Sequence, residues 1–123
     1  VTTATATANI ARRDKLERHS EISAADTALT LTTPTDPTQT RELLRVNVKY
    51  SAVPVHAGII VTLKSGLGAA HDQTLSSGPA NAQTAAFTPS GKYMLMPDDA
   101  IEVLAPAGGG VITSAVSVYT EAT

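Results

Sequence analysis

The sequence predicts an all-β fold: an antiparallel β-sandwich, jelly-roll-like, of about eight strands, preceded by an extended N-terminal arm. Three observations carry that expectation. From residue 22 onward apolar side chains recur at every second position, the period of a strand with one buried face. Clusters of Gly, Pro, Asn, Asp and Ser interrupt these runs at short intervals. After residue 21 no stretch keeps the period of an amphipathic helix.

The strands follow in order. "ALTLTT" sets Leu29 and Leu31 on one face with Thr30 and Thr32 on the other. "PTDPTQT", residues 34–40, is a loop, because Pro34 and Pro37 each lack the N–H a ladder needs. "LLRVNVKY" alternates most clearly, Leu44, Val46, Val48 and Tyr50 inward and Arg45, Asn47 and Lys49 toward water. "IIVTLK" buries Ile59, Val61 and Leu63. "QTLSS" is a short strand, "GPANAQ" a turn, and "TAAF" a strand ending on Phe87, the chain's only Phe. Ser90-Gly91 turns the chain into "KYML", which runs to the carboxylate turn Pro97-Asp98-Asp99. "AIEVLA" alternates Ile101 and Val103 against Glu102. "PAGGG", residues 106–110, reads as a loose hairpin connection to the last strand, "VITSAVSVYTE", with Ile112, Val116 and Val118 on one side. The expected core is Leu44, Val46, Val48, Ile59, Val61, Leu63, Ile101 and Val103.

Residues 1–21 form the arm and 22–123 the sandwich. "VTTATATAN" has little to bury and cannot offset its own ordering entropy within a domain. "IARRDKLERHSE" mixes Arg12, Arg13, Lys15 and Arg18 with three acids and offers two large apolar positions, too few for a helix face. It reads as a solvated linker or as an arm that orders on a partner, and in the second case Ile10, Arg12, Arg13, Leu16 and Arg18 are the contact residues, as apolar anchors and as guanidinium partners for carboxylates.

Composition sets the limits. At 123 residues the chain fits one domain that buries roughly two-thirds of its unfolded surface. With 3% aromatic residues its core rests on Val, Ile, Leu and Ala, and partner subunits would add useful buried area. A formal charge of −2 and a pI near 5.8 speak against a nucleic-acid partner. The absence of Cys removes disulfides, thiolate nucleophiles and Cys-ligated zinc, and suits a reducing compartment. No apolar run approaches the length of a membrane span or forms a secretory-signal core.

"SGLGAAHD", residues 65–72, is the most suggestive stretch. It lacks the lysine and following helix of a phosphate-binding loop, so Gly66 and Gly68 are expected to supply positive φ in a wide turn. His71 and Asp72 are adjacent and point apart in an extended chain, and no Gly-x-Ser-x-Gly elbow accompanies them. Asp72 is expected to cap the loop by accepting backbone N–H groups. His19 and His56 lie elsewhere, in the linker and in a Pro/Val turn, so no zinc ligand set is expected. Asp98 and Asp99 lack the oxygen-rich loop of a calcium site. The expectation is no catalytic residue, no metal and no cofactor.

From about Leu43 to Glu121 the chain resembles small β-sandwich virion proteins of tailed bacteriophages. The matching stretches are "VTLKSGLGAAHDQTL" and "FTPSGKYMLMPDDAIEVLAPAGGG", with one departure at Asp98, where that pattern has glycine. The resemblance implies a non-enzymatic head decoration or cement protein, made in the bacterial cytoplasm and carried on the capsid surface. It would bind the major capsid protein and neighbouring copies of itself, as a homo-oligomer with a trimer favoured. A neck or tail-fibre component, or a host-glycan-binding module using the loops at one sandwich end, is the alternative.

Overall fold

A computed structural model of the chain describes residues 3–6, 10–13, 16–54, 58–78 and 83–122. Within them lie β1 (Thr3–Ala6), β2 (Ile10–Arg13), β3 (Leu16–Ile22), β4 (Ala28–Thr32), β5 (Arg41–Tyr50), β6 (Ile60–Lys64), β7 (Gln73–Ser77), β8 (Thr84–Phe87), β9 (Tyr93–Leu95), β10 (Ala100–Ala105) and β11 (Ser114–Ala122). They build two sheets, β1-β4-β10-β6-β7 and β2-β3-β11-β5-β8, with β9 following β8 along the same edge of β5. Set against each other, β3-β11-β5-β8 and β4-β10-β6-β7 have the strand order of a jelly roll. The expected β-sandwich is the fold. All pairings are antiparallel except β1 with β4, which is parallel.

Aliphatic side chains fill the space between the sheets. Leu29 and Leu31 from β4, Val46 and Val48 from β5, Val61 from β6, Ile101 and Val103 from β10, and Val116 and Val118 from β11 are all buried, with Ile59 just before β6. Leu63 is half-buried against this cluster rather than inside it. Among the described residues Tyr50 is the one fully buried tyrosine, and its hydroxyl donates to the Pro106 carbonyl at 2.6 Å.

The expectation that Leu44 faces inward is corrected by a β-bulge. The register of β5 on β11 passes from Arg45–Tyr119 to Leu43–Thr120, so Leu44 is the extra residue. On one side of it Val46, Val48 and Tyr50 point in; on the other the phase is reversed, and Leu43 and Arg41 are buried while Leu44 is half-exposed. Residues 106–110 also depart from expectation. They join β10 in one sheet to β11 in the other, a crossover rather than a hairpin. Gly108 is required there, since a Cβ would stand 2.6 Å from Ile112 Cγ2 and 3.2 Å from the Tyr50 ring.

The sandwich begins before residue 22. β3 is an interior strand, paired with β11 over seven residues and with β2 on its other side. Its inward positions are Glu17 and His19, 5% and 2% exposed, with His19 Nε2 3.9 Å from Glu17 Oε2. A strand whose inward positions hold polar side chains has no hydropathy alternation, which is why the stretch reads as a linker. The described parts of residues 1–15 likewise extend the sheets. β1 adds to the edge of β4 and β2 to the edge of β3, so one segment lines both sheets along the same side of the sandwich.

Candidate functional site

The loops gather at two ends, and at each end polar groups are spent on backbone. At one end three loops, 33–40, 65–72 and 96–99, are knotted together. Asp99, largely buried, accepts from the Gly66 N–H at 2.9 Å through Oδ1 and from the Met96 N–H at 3.0 Å through Oδ2. Arg41, 3% exposed, donates from Nη1 to the Pro34 carbonyl and from Nη2 to the Asp99 carbonyl, at 3.0 and 2.9 Å. The Asp98 N–H donates to the Asp36 carbonyl, and Thr33 Oγ1 accepts from the Ile101 N–H. Asp36 Oδ1 accepts from the backbone N–H of Thr38 at 2.8 Å, the main reason its carboxyl is held below its ordinary value.

The "SGLGAAHD" stretch lies within this knot. It is a loop with a 3₁₀ turn over Ala69–His71, and His71 is exposed. Asp72 Oδ1 accepts from the Ser65 N–H at 2.8 Å, the expected loop cap, while Oδ2 meets Lys64 Nζ at 2.9 Å. That hydrogen bond to Lys64 is the first cause of the lowered Asp72 carboxyl, and it raises Lys64 in turn. Gly68 has φ of 115°, as expected of a glycine turn. Gly66 does not have positive φ. It is needed for close approach, because a Cβ there would stand 2.7 Å from Asp98 Cβ and 3.0 Å from the Asp98 carbonyl carbon. Asp98 itself sits at φ 67°, a left-handed position in which glycine is unstrained.

At the other end the described residues are tied in the same way. Ser23 Oγ accepts from the Ser114 N–H at 2.9 Å, the Ser23 N–H donates to the Ser114 carbonyl, and Ser51 exchanges two hydrogen bonds with Thr113. His56 lies outside the described residues. Among the described residues no group of three or more His, Asp or Glu is gathered as a metal site, and no helix is long and apolar enough to cross a membrane.

Of the five expected contact residues, Ile10, Arg12 and Arg13 fall in β2, where the register sets Ile10 opposite His19 and Arg12 opposite Glu17. Leu16 and Arg18 are exposed positions on β3. Leu16 and Arg18 belong to one surface, the outer face of the β2-β3-β11-β5-β8 sheet, which sequence reasoning did not single out.

That face is organised in rows across the strands. Arg18 of β3, Tyr119 of β11 and Arg45 of β5 are register partners in one row; Ser20, Ser117 and Asn47 make the next; Ile22, Ala115 and Lys49 the third. The bulge at Leu44 lies in the first row, and Arg45 emerges from it with its Nε donating to Asn47 Oδ1 at 2.7 Å. Two grooves open here. One of about 280 Å³ is lined by Arg18, Ser20 and Ser117, and one of about 390 Å³ by Arg45, Asn47 and Lys49. Between the sheets, at the β7–β8 edge, a cleft of about 70 Å³ lined by Val48, Val61 and Phe87 is far below the ~300 Å³ of a small-molecule pocket.

No protein-family model and no curated protein matches the chain. Solved structures do. The periplasmic inhibitor of g-type lysozyme from Aeromonas hydrophila aligns over 99% of this chain and 98% of its own, at 6% identity and a TM-score of 0.43. The pre-peptidase C-terminal domain of collagenase from Bacillus anthracis aligns over 98% and 93%, at 8% identity and 0.41. A low-affinity xylan-binding module from Roseburia intestinalis aligns over 94% and 83%, at 19% identity and 0.36.

Proposed function

We propose that the chain is a non-enzymatic attachment protein and, following the resemblance of its sequence, a decoration or cement protein on the head of a tailed bacteriophage. On this reading it binds the major capsid protein and neighbouring copies of itself. One observation carries the reading: the N-terminal segment is joined to both sheets by edge-strand pairing, through β1 on β4 and β2 on β3. Main-chain hydrogen bonds do not distinguish a chain's own arm from a neighbour's, so such a segment is suited to exchange between adjacent subunits or to lie across a joint between them. The loop ends support it as well. Their buried charged groups, Arg41 and Asp99, hold loops in place rather than face a cleft.

The test is reconstitution on capsids lacking the protein. The full chain is expected to co-purify with intact heads at a fixed copy number. Deletion of residues 1–13, which leaves β3 in place, is expected to keep the body folded and to reduce occupancy sharply. Full occupancy by that truncated form would overturn the role of the segment, and failure of the full chain to bind heads would overturn the virion reading.

A further inference from the structure

We propose that the outer face of the β2-β3-β11-β5-β8 sheet is a binding site for an acidic oligosaccharide, with Tyr119 as its stacking platform and Arg18 and Arg45 as partners for sugar carboxylates. The register puts the three residues in one row, Tyr119 between the two arginines. With strands about 4.8 Å apart, the arginine backbones stand roughly 10 Å from each other across β11. That spacing suits a short sugar chain laid across the strands. The apolar face of one pyranose covers the tyrosine ring, and carboxylates to either side meet a guanidinium by paired hydrogen bonds.

Three features make this more than a scatter of surface charge. The bulge sets an apolar residue, Leu44, and a cationic one, Arg45, together opposite Tyr119, and bulges commonly re-aim a side chain at a functional position. Asn47 Oδ1 takes only the Nε of Arg45, and among the described residues the two terminal amino groups of that guanidinium carry no other bond. The neighbouring row of Ser20, Ser117 and Asn47 offers the short hydroxyl and amide groups that sugar hydroxyls need, and of the two grooves one opens between β3 and β11 and the other between β5 and β8.

Charge complementarity selects the occupant. The chain is formally −2 overall, yet this face carries Arg18, Arg45 and Lys49, while its acids lie outside the Tyr119 row, Glu42 and Glu121 together in the row beyond it and Glu21 in the lining of the groove beside Arg18. A neutral glycan would leave the arginines unused. Single-stranded nucleic acid is matched less well, since such surfaces stack successive bases on several rings along a basic channel and this face presents one ring. The inference does not depend on the virion reading, because the face is offered by the isolated chain.

Tetragalacturonate and a neutral galactose tetramer are titrated into the isotope-labelled full chain, with chemical shifts and calorimetry as readouts. Saturable binding of the acidic tetramer is expected, with shifts confined to β3, β5 and β11 and at least about tenfold weaker binding of the neutral one. Tyr119→Ala, and separately Arg18→Gln combined with Arg45→Gln at two exposed positions, are each expected to lower affinity about tenfold or more at an unchanged melting temperature. No saturable binding at millimolar sugar, equal affinity for the neutral tetramer, or binding undiminished in the double arginine variant would overturn the proposal. Tighter binding of oligothymidylate to the same residues would also overturn it, in favour of a nucleic-acid surface.

Discussion

Replacing Asp99 by Ala is the sharpest probe of the knotted end. The side chain accepts two backbone N–H groups, from Gly66 at 2.9 Å and Met96 at 3.0 Å, and so ties the β6–β7 loop to the turn before β10. A hydrogen bond to an ionised acceptor contributes about 1.5–3 kcal/mol. Gly66 and Met96 are both exposed, so water recovers part of each loss once the carboxylate is gone. The net cost is therefore set at about 2–4 kcal/mol, a large fraction of the ~5–15 kcal/mol that a domain has in total. In a chain of this size that lowers the melting temperature by roughly 8–20 °C. Asp99→Asn keeps one acceptor and turns an amide toward the second N–H, so it is expected to lose at least half as much. Urea unfolding of the three proteins measures the differences directly. A loss below about 0.5 kcal/mol for Asp99→Ala, the range of ordinary surface changes, would refute the claim that this carboxylate holds the loops.

Three further outcomes follow from named contacts. Leu43→Ala is expected to cost about 2–5 kcal/mol, because the side chain is 1% exposed, and Leu44→Ala well under half of that; equal losses in urea unfolding would remove the bulge from the argument. Burial pushes the Tyr50 phenol up to about 12 from its ordinary 10.0, and the Asp72 hydrogen bond raises Lys64 above 10.5. Both contributions are fully present below those ordinary values and fade as the pH rises toward the folded ones. Stability should thus fall above about pH 10, and Tyr50→Phe should flatten the fall while costing about 0.5–1.5 kcal/mol at neutral pH, as read from unfolding curves across that range. His71→Ala is expected to stay within about 0.5 kcal/mol of the parent in the same assay, since the ring is exposed at the end of a 3₁₀ turn.

The parts of the fold legible in the sequence are those where burial and hydropathy alternate together. Val46 and Val48, Ile59 and Val61, Ile101 and Val103, and Val116 and Val118 are buried as their spacing requires. β3 was hidden because its inward residues are Glu17 and His19, so the geometric alternation has no apolar counterpart. The bulge was hidden because Leu43 and Leu44 are identical, and only pairing with β11 decides which one turns inward. The Asp72 cap was legible from loop chemistry, and so was the carboxylate turn, although its anchoring to Gly66 depends on a loop 33 residues away in sequence. The row of Arg18, Tyr119 and Arg45 was not legible. Its members come from three strands distant in the chain, and only the register brings them together.

β11 lies in the middle of its sheet, between β3 and β5, and it is the final strand described along the chain. During synthesis β3 and β5 must therefore wait, with no strand between them, until all of the other described strands have left the ribosome. Pairing partners a hundred residues apart close late and slowly, and in the interval each waiting edge offers its N–H and C=O groups to any passing chain. Polar side chains at Glu17 and His19 make the edge of β3 a poor template for such mispairing, at the expense of a more polar interior once the last strand arrives.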